Sequence, residues 1–267
     1  QLKNSDNLYL NKRSINEKKI LDTINYVFEN CPELYKTIYS EEKDRILFEL
    51  SLICKPGNKI IDLGGGIGIH AVVGQLSGCQ FICIDKMISR HKGQIDCVEF
   101  AKSHGVHFIE RNLLENDLLF HNEHDRYKNT TTGTKTAEHL IEDNSIDSIV
   151  TFDCMEHLHH SPRNIYKQFV KKLKKGGNFF IGVPNAANIL KRIRCLVGEN
   201  IWSNINDWYF ETEFHGHVRE PIVKDLKLIM DDLELVNQKI YGRNFIGVQK
   251  YGKMFYPFGY ILKYFPS

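Results

Sequence analysis

The stretch Ile60-Ile61-Asp62-Leu63-Gly64-Gly65-Gly66-Ile67-Gly68 decides how the rest of the chain is read. Residues 59–63 form a short apolar run without the polar alternation of a half-exposed strand, as a strand buried in a parallel sheet requires. The run ends in four glycines within five positions. At the carboxyl edge of a parallel sheet, where ligands bind in such folds, glycines let the backbone approach a ligand with no Cβ in the way. A tight turn alone needs fewer. A nucleotide-binding GxGxxA can be read as Gly66, Gly68 and Ala71, but Asp62, an acid two residues ahead of the glycines, would repel a pyrophosphate and welcome an ammonium group. The lysine-serine/threonine pair of a P-loop is missing, which speaks against nucleoside triphosphate hydrolysis.

Working outward, residues 14–54 read as helices, with Ile15, Ile20, Ile24 and Val27/Phe28, then Ile46, Leu47, Leu50 and Ile53/Cys54, at helical spacing before Pro56-Gly57 stops them. Downstream, a helix runs through Ala71, Val72 and Leu76. A strand at 80–84 ending at Asp85, a helix at 91–103 and a strand at 106–110 follow. The polar segment 115–144 breaks this rhythm as a surface insertion. Strand 148–152, helix 164–174 capped by Gly176-Gly177, strand 178–183, a long excursion and helix 222–232 resume it. Two final strands, 235–241 and 245–251, are joined by Gly242-Arg243-Asn244, too short for a parallel crossover, so the last strand is expected to be antiparallel. The pattern predicts a doubly wound α/β fold whose mostly parallel sheet has seven strands. The domains expected are a helical segment over 1–54, a core over 55–251 with an insertion at 115–144 and a cover at 186–220, and an aromatic tail over 252–267.

The composition sets outer limits. The chain has 267 residues, 42% hydrophobic and 25% charged, which suits a soluble globular protein. Thirty-five basic against 33 acidic residues leave a formal charge of +2, too even for a surface built for nucleic acid, so no nucleic-acid partner is expected. No apolar run is long enough to span a membrane, and no basic segment followed by an apolar core opens the chain, so a cytoplasmic location is expected. Seven cysteines make no CxxC pair and are expected to be reduced and mostly buried; the twelve histidines show no HExxH spacing, so no catalytic metal is expected.

At this point the chain resembles the class I S-adenosylmethionine-dependent methyltransferases, over about residues 45 to 250. IIDLGGGIG looks like their first motif, and the second, Phe152-Asp153-Cys154-Met155-Glu156-His157-Leu158 followed by Pro162, resembles the Leu-Glu-His-like segment of the small-molecule branch. Lys175-Gly176-Gly177 before Phe179–Val183 resembles the start of the fifth strand. The resemblance implies a Rossmann-like fold and S-adenosylmethionine as cofactor, with S-adenosylhomocysteine as product. It places Asp62, Gly64, Gly66 and Gly68 around the methionine part and Asp85 on the ribose hydroxyls. Lys86 and Met87 flank the adenine, Asn112 and Leu113 lie near its amine, and Asp153 stands at the end of the fourth strand.

Methyl transfer from a sulfonium is an in-line displacement, so the protein mainly holds donor and acceptor in near-attack geometry, with a base helping when the acceptor is an alcohol. His157 fits that base and Glu156 would orient it or cap the next helix; the alternative for His157 is to pin the loop. Within the expected cover, His215, His217, Arg219 and Trp208 are the candidates for contact with the acceptor, Arg219 to grip an anionic group. The expected activity is methylation of a small-molecule acceptor, at an oxygen of a carbohydrate or surface-polysaccharide precursor. The competing readings are a nicotinamide-dependent oxidoreductase and an RNA or protein methyltransferase. The aromatic tail is expected to pack over the sheet edge or against a second copy in a homodimer rather than on a membrane.

Overall fold

The computed structural model describes residues 15–86, 92–111, 113, 141–212 and 214–242. They divide into two compact units, residues 1–110 and 111–267.

The first unit opens with the helices α1 (Ile15–Asn30), α2 (Glu33–Tyr39) and α3 (Lys43–Ile53). The apolar positions at helical spacing are the ones that bury: Ile20, Ile24, Val27 and Phe28 on α1, and Ile46, Leu47, Leu50 and Ile53 on α3. Each such side chain contributes roughly 1.5–3 kcal/mol by leaving water. Then come β1 (Lys59–Leu63), α4 (Ile69–Leu76), β2 (Gln80–Asp85), α5 (Lys92–Ser103) and β3 (His107–Glu110). β2 lies between the other two and pairs parallel with both, Lys59 facing Gln80 through Leu63 facing Ile84, and Ile82 facing His107 through Asp85 facing Glu110. This register brings the ends of β1 and β2 to the same edge, so the glycine turn and Asp85 are neighbours.

The second unit contains β4 (Ile146–Phe152), a 3-10 turn at Met155–His157, α6 (Arg163–Val170) and β5 (Leu173–Gly182). β5 is parallel to β4, with Ser148 facing Asn178 through Phe152 facing Gly182. The excursion is partly helical, with α7 (Ile189–Leu196) and α8 (Ile205–Tyr209) ahead of α9 (Val223–Asp232).

The described residues thus form a Rossmann-like α/β fold with five parallel strands. Two expectations need correction. The helix expected to run to residue 174 ends at Val170, and β5 begins at Leu173, so Gly176-Gly177 lies in a strand rather than capping a helix. Gly176 takes a φ of 80°, and the pairing slips between Ile146 and Ser148, which is how two glycines fit an irregular strand start. Residues 235–241 form no strand, because Asn237 sits at a φ of 55° and Glu234, just ahead of the segment, at 58°, and left-handed residues break an extended ladder. The seventh expected strand, 245–251, the tail and most of the 115–144 insertion lie outside the described residues. No helix among the described residues is long and apolar enough to cross a membrane.

Candidate functional site

In the first unit the glycine turn is held by its own backbone. Gly64 N–H donates to the Ile84 carbonyl (2.8 Å), Gly68 N–H to the Gly65 carbonyl (2.9 Å) and Gly66 N–H to Oδ2 of Asp85 (2.7 Å). Gly66 has a φ of 56° and opens onto free space, whereas a Cβ on Gly65 would stand 2.6 Å from Oδ2 of Asp62 and 2.7 Å from Sγ of Cys83. Glycine at 65 is therefore what lets the turn lie on the acid. Asp62 is buried and its Oδ2 has no hydrogen-bond partner. Burial pushes its pKa up to about 7, with Asp85 adding to the rise and His70 opposing it. Asp85 is raised by burial to about 6, against the pull of the Gly66 and Lys86 backbone N–H groups. An unpartnered buried acid, open space over Gly66 and a carboxylate at the end of β2 fit a ligand that carries an ammonium group and a vicinal diol. Lys86 is exposed and Leu113 half-buried; Met87 and Asn112 lie outside the described residues.

Helical residues brace this turn. The buried Tyr35 of α2 donates its hydroxyl toward the carbonyl of Ile67, just past the third glycine, and toward that of Cys97 on α5 (3.2 Å). His70 Nε2 meets Oε2 of Glu49 at 2.7 Å, and Arg45 Nε donates to Oε1 of Glu49 at 2.9 Å. Burial alone would push the Glu49 carboxyl up and the His70 imidazole down, but their hydrogen bond reverses both directions. Sequence periodicity assigned none of these residues to the site. Arg45 and Glu49 carried the only readable signal, a salt-bridge spacing of four on one helix.

In the second unit, Asp153 leaves β4 at a φ of 46°, donating its N–H to the Gly182 carbonyl (2.9 Å) and turning the chain into the 3-10 turn. Glu156 on that turn is fully buried, and neither carboxylate oxygen has a hydrogen-bond partner. Burial pushes it up to about 7. Its backbone carbonyl accepts from Val218 N–H (2.7 Å) and Arg219 N–H (3.3 Å), which sews 215–220 to the turn. His157 Nδ1 donates to the His215 carbonyl at 2.9 Å. The His157 and His217 rings stand edge to face with centroids 4.8 Å apart. Burial, then the facing His217, lower the His157 pKa. His217 Nδ1 donates to Oε1 of Glu220 (2.6 Å), which raises the His217 pKa. Burial would raise Glu220, but the hydrogen bonds from His217 and Lys191 hold it below the usual range.

Beside this cluster the second unit has a cavity of about 420 Å³, walled by Trp202, Trp208 and Phe214, with Asn200, Ser203 and His217 as polar lining. Of the residues expected to meet the acceptor, Trp208 and His217 line it. His215 acts through its carbonyl on His157, and Arg219 is not among the lining residues and holds the turn through its backbone N–H. Glu220 and Lys191, which anchor His217, were not expected from the sequence.

A family model described as a methyltransferase domain matches residues 35–240, most of the chain. The chain belongs to the class I S-adenosylmethionine-dependent methyltransferases. The methyltransferase is also similar to solved structures. They include the YcgJ protein of Bacillus subtilis (17% identity, TM-score 0.46, over 74% of this chain and 70% of that one) and a putative methyltransferase of Bacillus halodurans (11%, 0.46, 71% and 68%). A third is phosphoethanolamine N-methyltransferase 2 of Haemonchus contortus in complex with phosphomonomethylethanolamine and S-adenosylhomocysteine (15%, 0.43, 74% and 38%). No curated protein matches the chain.

Proposed function

We propose that this methyltransferase methylates an oxygen of a small-molecule acceptor, a carbohydrate or a precursor of a surface polysaccharide. The observation that carries the reading is the cavity of the second unit: Trp202, Trp208 and Phe214 in its lining supply apolar surface for a sugar ring, while Asn200, Ser203 and His217 supply polar groups for its hydroxyls. Its volume, about 420 Å³, suits a small ligand rather than a folded macromolecule.

Bound S-adenosylmethionine supplies an electrophilic methyl group on a sulfonium. Gly64, Gly66 and Gly68 would admit its methionine part to backbone contact, the Asp62 carboxylate would face the ammonium group, and Asp85 would accept from the ribose hydroxyls. In the second unit, Glu156, His157 and His217 form the polar cluster toward which the acceptor hydroxyl gives up its proton. His157 spends its Nδ1 proton on a carbonyl, so Nε2 carries the free lone pair. Asp153 holds the turn that carries these groups.

The test is transfer of labelled methyl from S-adenosylmethionine to a panel of sugars and nucleotide-linked sugars, with small amines, RNA and protein as competing acceptors. Label on a sugar oxygen is expected. Label on nitrogen, RNA or protein alone would overturn the acceptor assignment, and tighter binding of NADH than of S-adenosylhomocysteine would overturn the cofactor roles of these residues.

A further inference from the structure

We infer that Glu156, His157 and His217 form a binding site for one divalent transition-metal ion, with room for the acceptor oxygen as a further ligand. Each residue brings a ligating atom, and these atoms lie within 4.8 Å of one another. Ligands about 2 Å from an ion stand roughly 3–4 Å apart, a contraction within reach of small side-chain rotations.

The hydrogen bonds around the cluster orient it for an ion. A carbonyl can only accept, so His157 Nδ1 must carry the proton it shares with His215, which leaves Nε2 with the lone pair. His217 is fixed the same way, its Nδ1 proton on Glu220 and Glu220 in turn held by Lys191. An imidazole tied at one nitrogen to a carboxylate or carbonyl, with the other left free, is how proteins set a metal-binding histidine. Glu156 is an independent sign. It is fully buried, with no hydrogen-bond partner on either oxygen, and a cation in front of it supplies what no neighbouring donor does.

Two imidazoles and one carboxylate select an ion of the zinc, cobalt or ferrous class over magnesium or calcium, which prefer all-oxygen shells. Three protein ligands also leave a position open, as sites that bind a substrate oxygen do. His217 lines the aromatic cavity, so an acceptor there is beside that position. For the ion's role the inference rests on the methyl-transfer reading, which it refines: a hydroxyl on the ion is more acidic, its proton leaves to solvent, and His157 serves as a ligand rather than taking that proton. The sequence hid the site because its members come from two distant stretches with no HExxH spacing.

The full chain, stripped with EDTA and desalted, is titrated with Co²⁺ and followed by the visible d–d absorption. One equivalent is expected to bind, undisturbed by excess Mg²⁺. Glu156→Gln and His217→Ala should each weaken binding at least about tenfold, and Glu220→Ala, which removes the acceptor holding the His217 ring, about ten- to a hundredfold. Cys195→Ser, at the exposed cysteine, should change nothing. S-adenosylhomocysteine affinity, measured by calorimetry on every variant, reports whether the protein is still folded. Absence of a one-equivalent Co²⁺ signal, or a signal untouched by Glu156→Gln, overturns the site while leaving methyl transfer standing if S-adenosylhomocysteine still binds. Wild-type protein that binds Co²⁺ but no S-adenosylhomocysteine would keep the site and overturn the methyl-transfer role. Full turnover after EDTA treatment would return the proton to His157 and refute the ion's part in the reaction.

Discussion

The glycine turn of the first unit and the histidine cluster of the second are each built round a buried carboxylate, Asp62 and Glu156, and burial pushes both up to about 7. They differ in how they are assembled. Asp62 is cradled by the residues that follow it directly, whereas Glu156 meets His217 only because the backbone of 218–219 is bonded to its carbonyl. The first device is written in one stretch of chain and the second in two. The lesson is that a site of contiguous residues announces itself to a reader of sequence, while an assembled one has to be seen.

If the two devices serve different ligands, each should fail without the other. The largest effect is expected from His157→Ala, which should lower kcat about 10²-fold or more and leave S-adenosylhomocysteine affinity within error in calorimetry. A parallel loss of affinity would erase the distinction. Next, Asp85→Ala should weaken S-adenosylhomocysteine by about 10- to 100-fold, the scale of hydrogen bonds to a charged acceptor, with kcat at saturating cofactor little changed.

Protons should act only on the first device in that assay. Apo Asp62 and Asp85 hold protons up to about 7 and about 6. Both must be ionised to serve an ammonium group and a diol, so affinity is present above about 7 and falls as pH drops through those two values, toward about tenfold per unit for each group. In Asp62→Asn only the lower step should remain. A flat profile would detach the carboxylates from the cofactor.

The smallest effect concerns stability. The folded-state pKa of Asp62 is raised, so its ionisation costs stability as pH rises from the ordinary carboxylate range to about 7, and that cost is complete at pH 8. Asp62→Asn cannot ionise and should raise the apo Tm by a few degrees at pH 8, on the order of 1–3 kcal/mol, and leave it unchanged near pH 4. An equal shift at both values would assign the gain to packing instead.

The fold was legible where periodicity and punctuation agreed. β1 ends at the glycines, β2 ends at Asp85, and the buried faces of α1 and α3 follow the spacing of their isoleucines and leucines. It was illegible where backbone conformation overrode composition. Gly176-Gly177 reads as a helix stop yet sits inside β5, and 235–241 has strand-forming residues but a left-handed Asn237. Of the candidate cofactor residues, Asp62 is singled out by its place ahead of the glycines and Asp85 by the family resemblance at the end of the second strand. Tyr35 and His70 could not be read in this way, because a polar residue on an amphipathic helix carries no mark of what its tip will touch, and Glu49 offered only its spacing of four from Arg45. Glu220 stands three residues from His217, but only the fold shows that it holds the ring that meets Glu156 and His157.

Tyr35 carries a last consequence. Its hydroxyl has one proton and two acceptors within reach, the carbonyls of Ile67 and Cys97, so it satisfies one at a time. If the glycine turn shifts as a ligand enters, that proton can swing to the helix carbonyl, and the turn moves without stranding a buried donor. The hydroxyl is a hinge pin with two sockets. Replacing it by phenylalanine would remove the pin and leave both sockets dry, and the turn's amides should then exchange with deuterated solvent faster than those of β1 beside it.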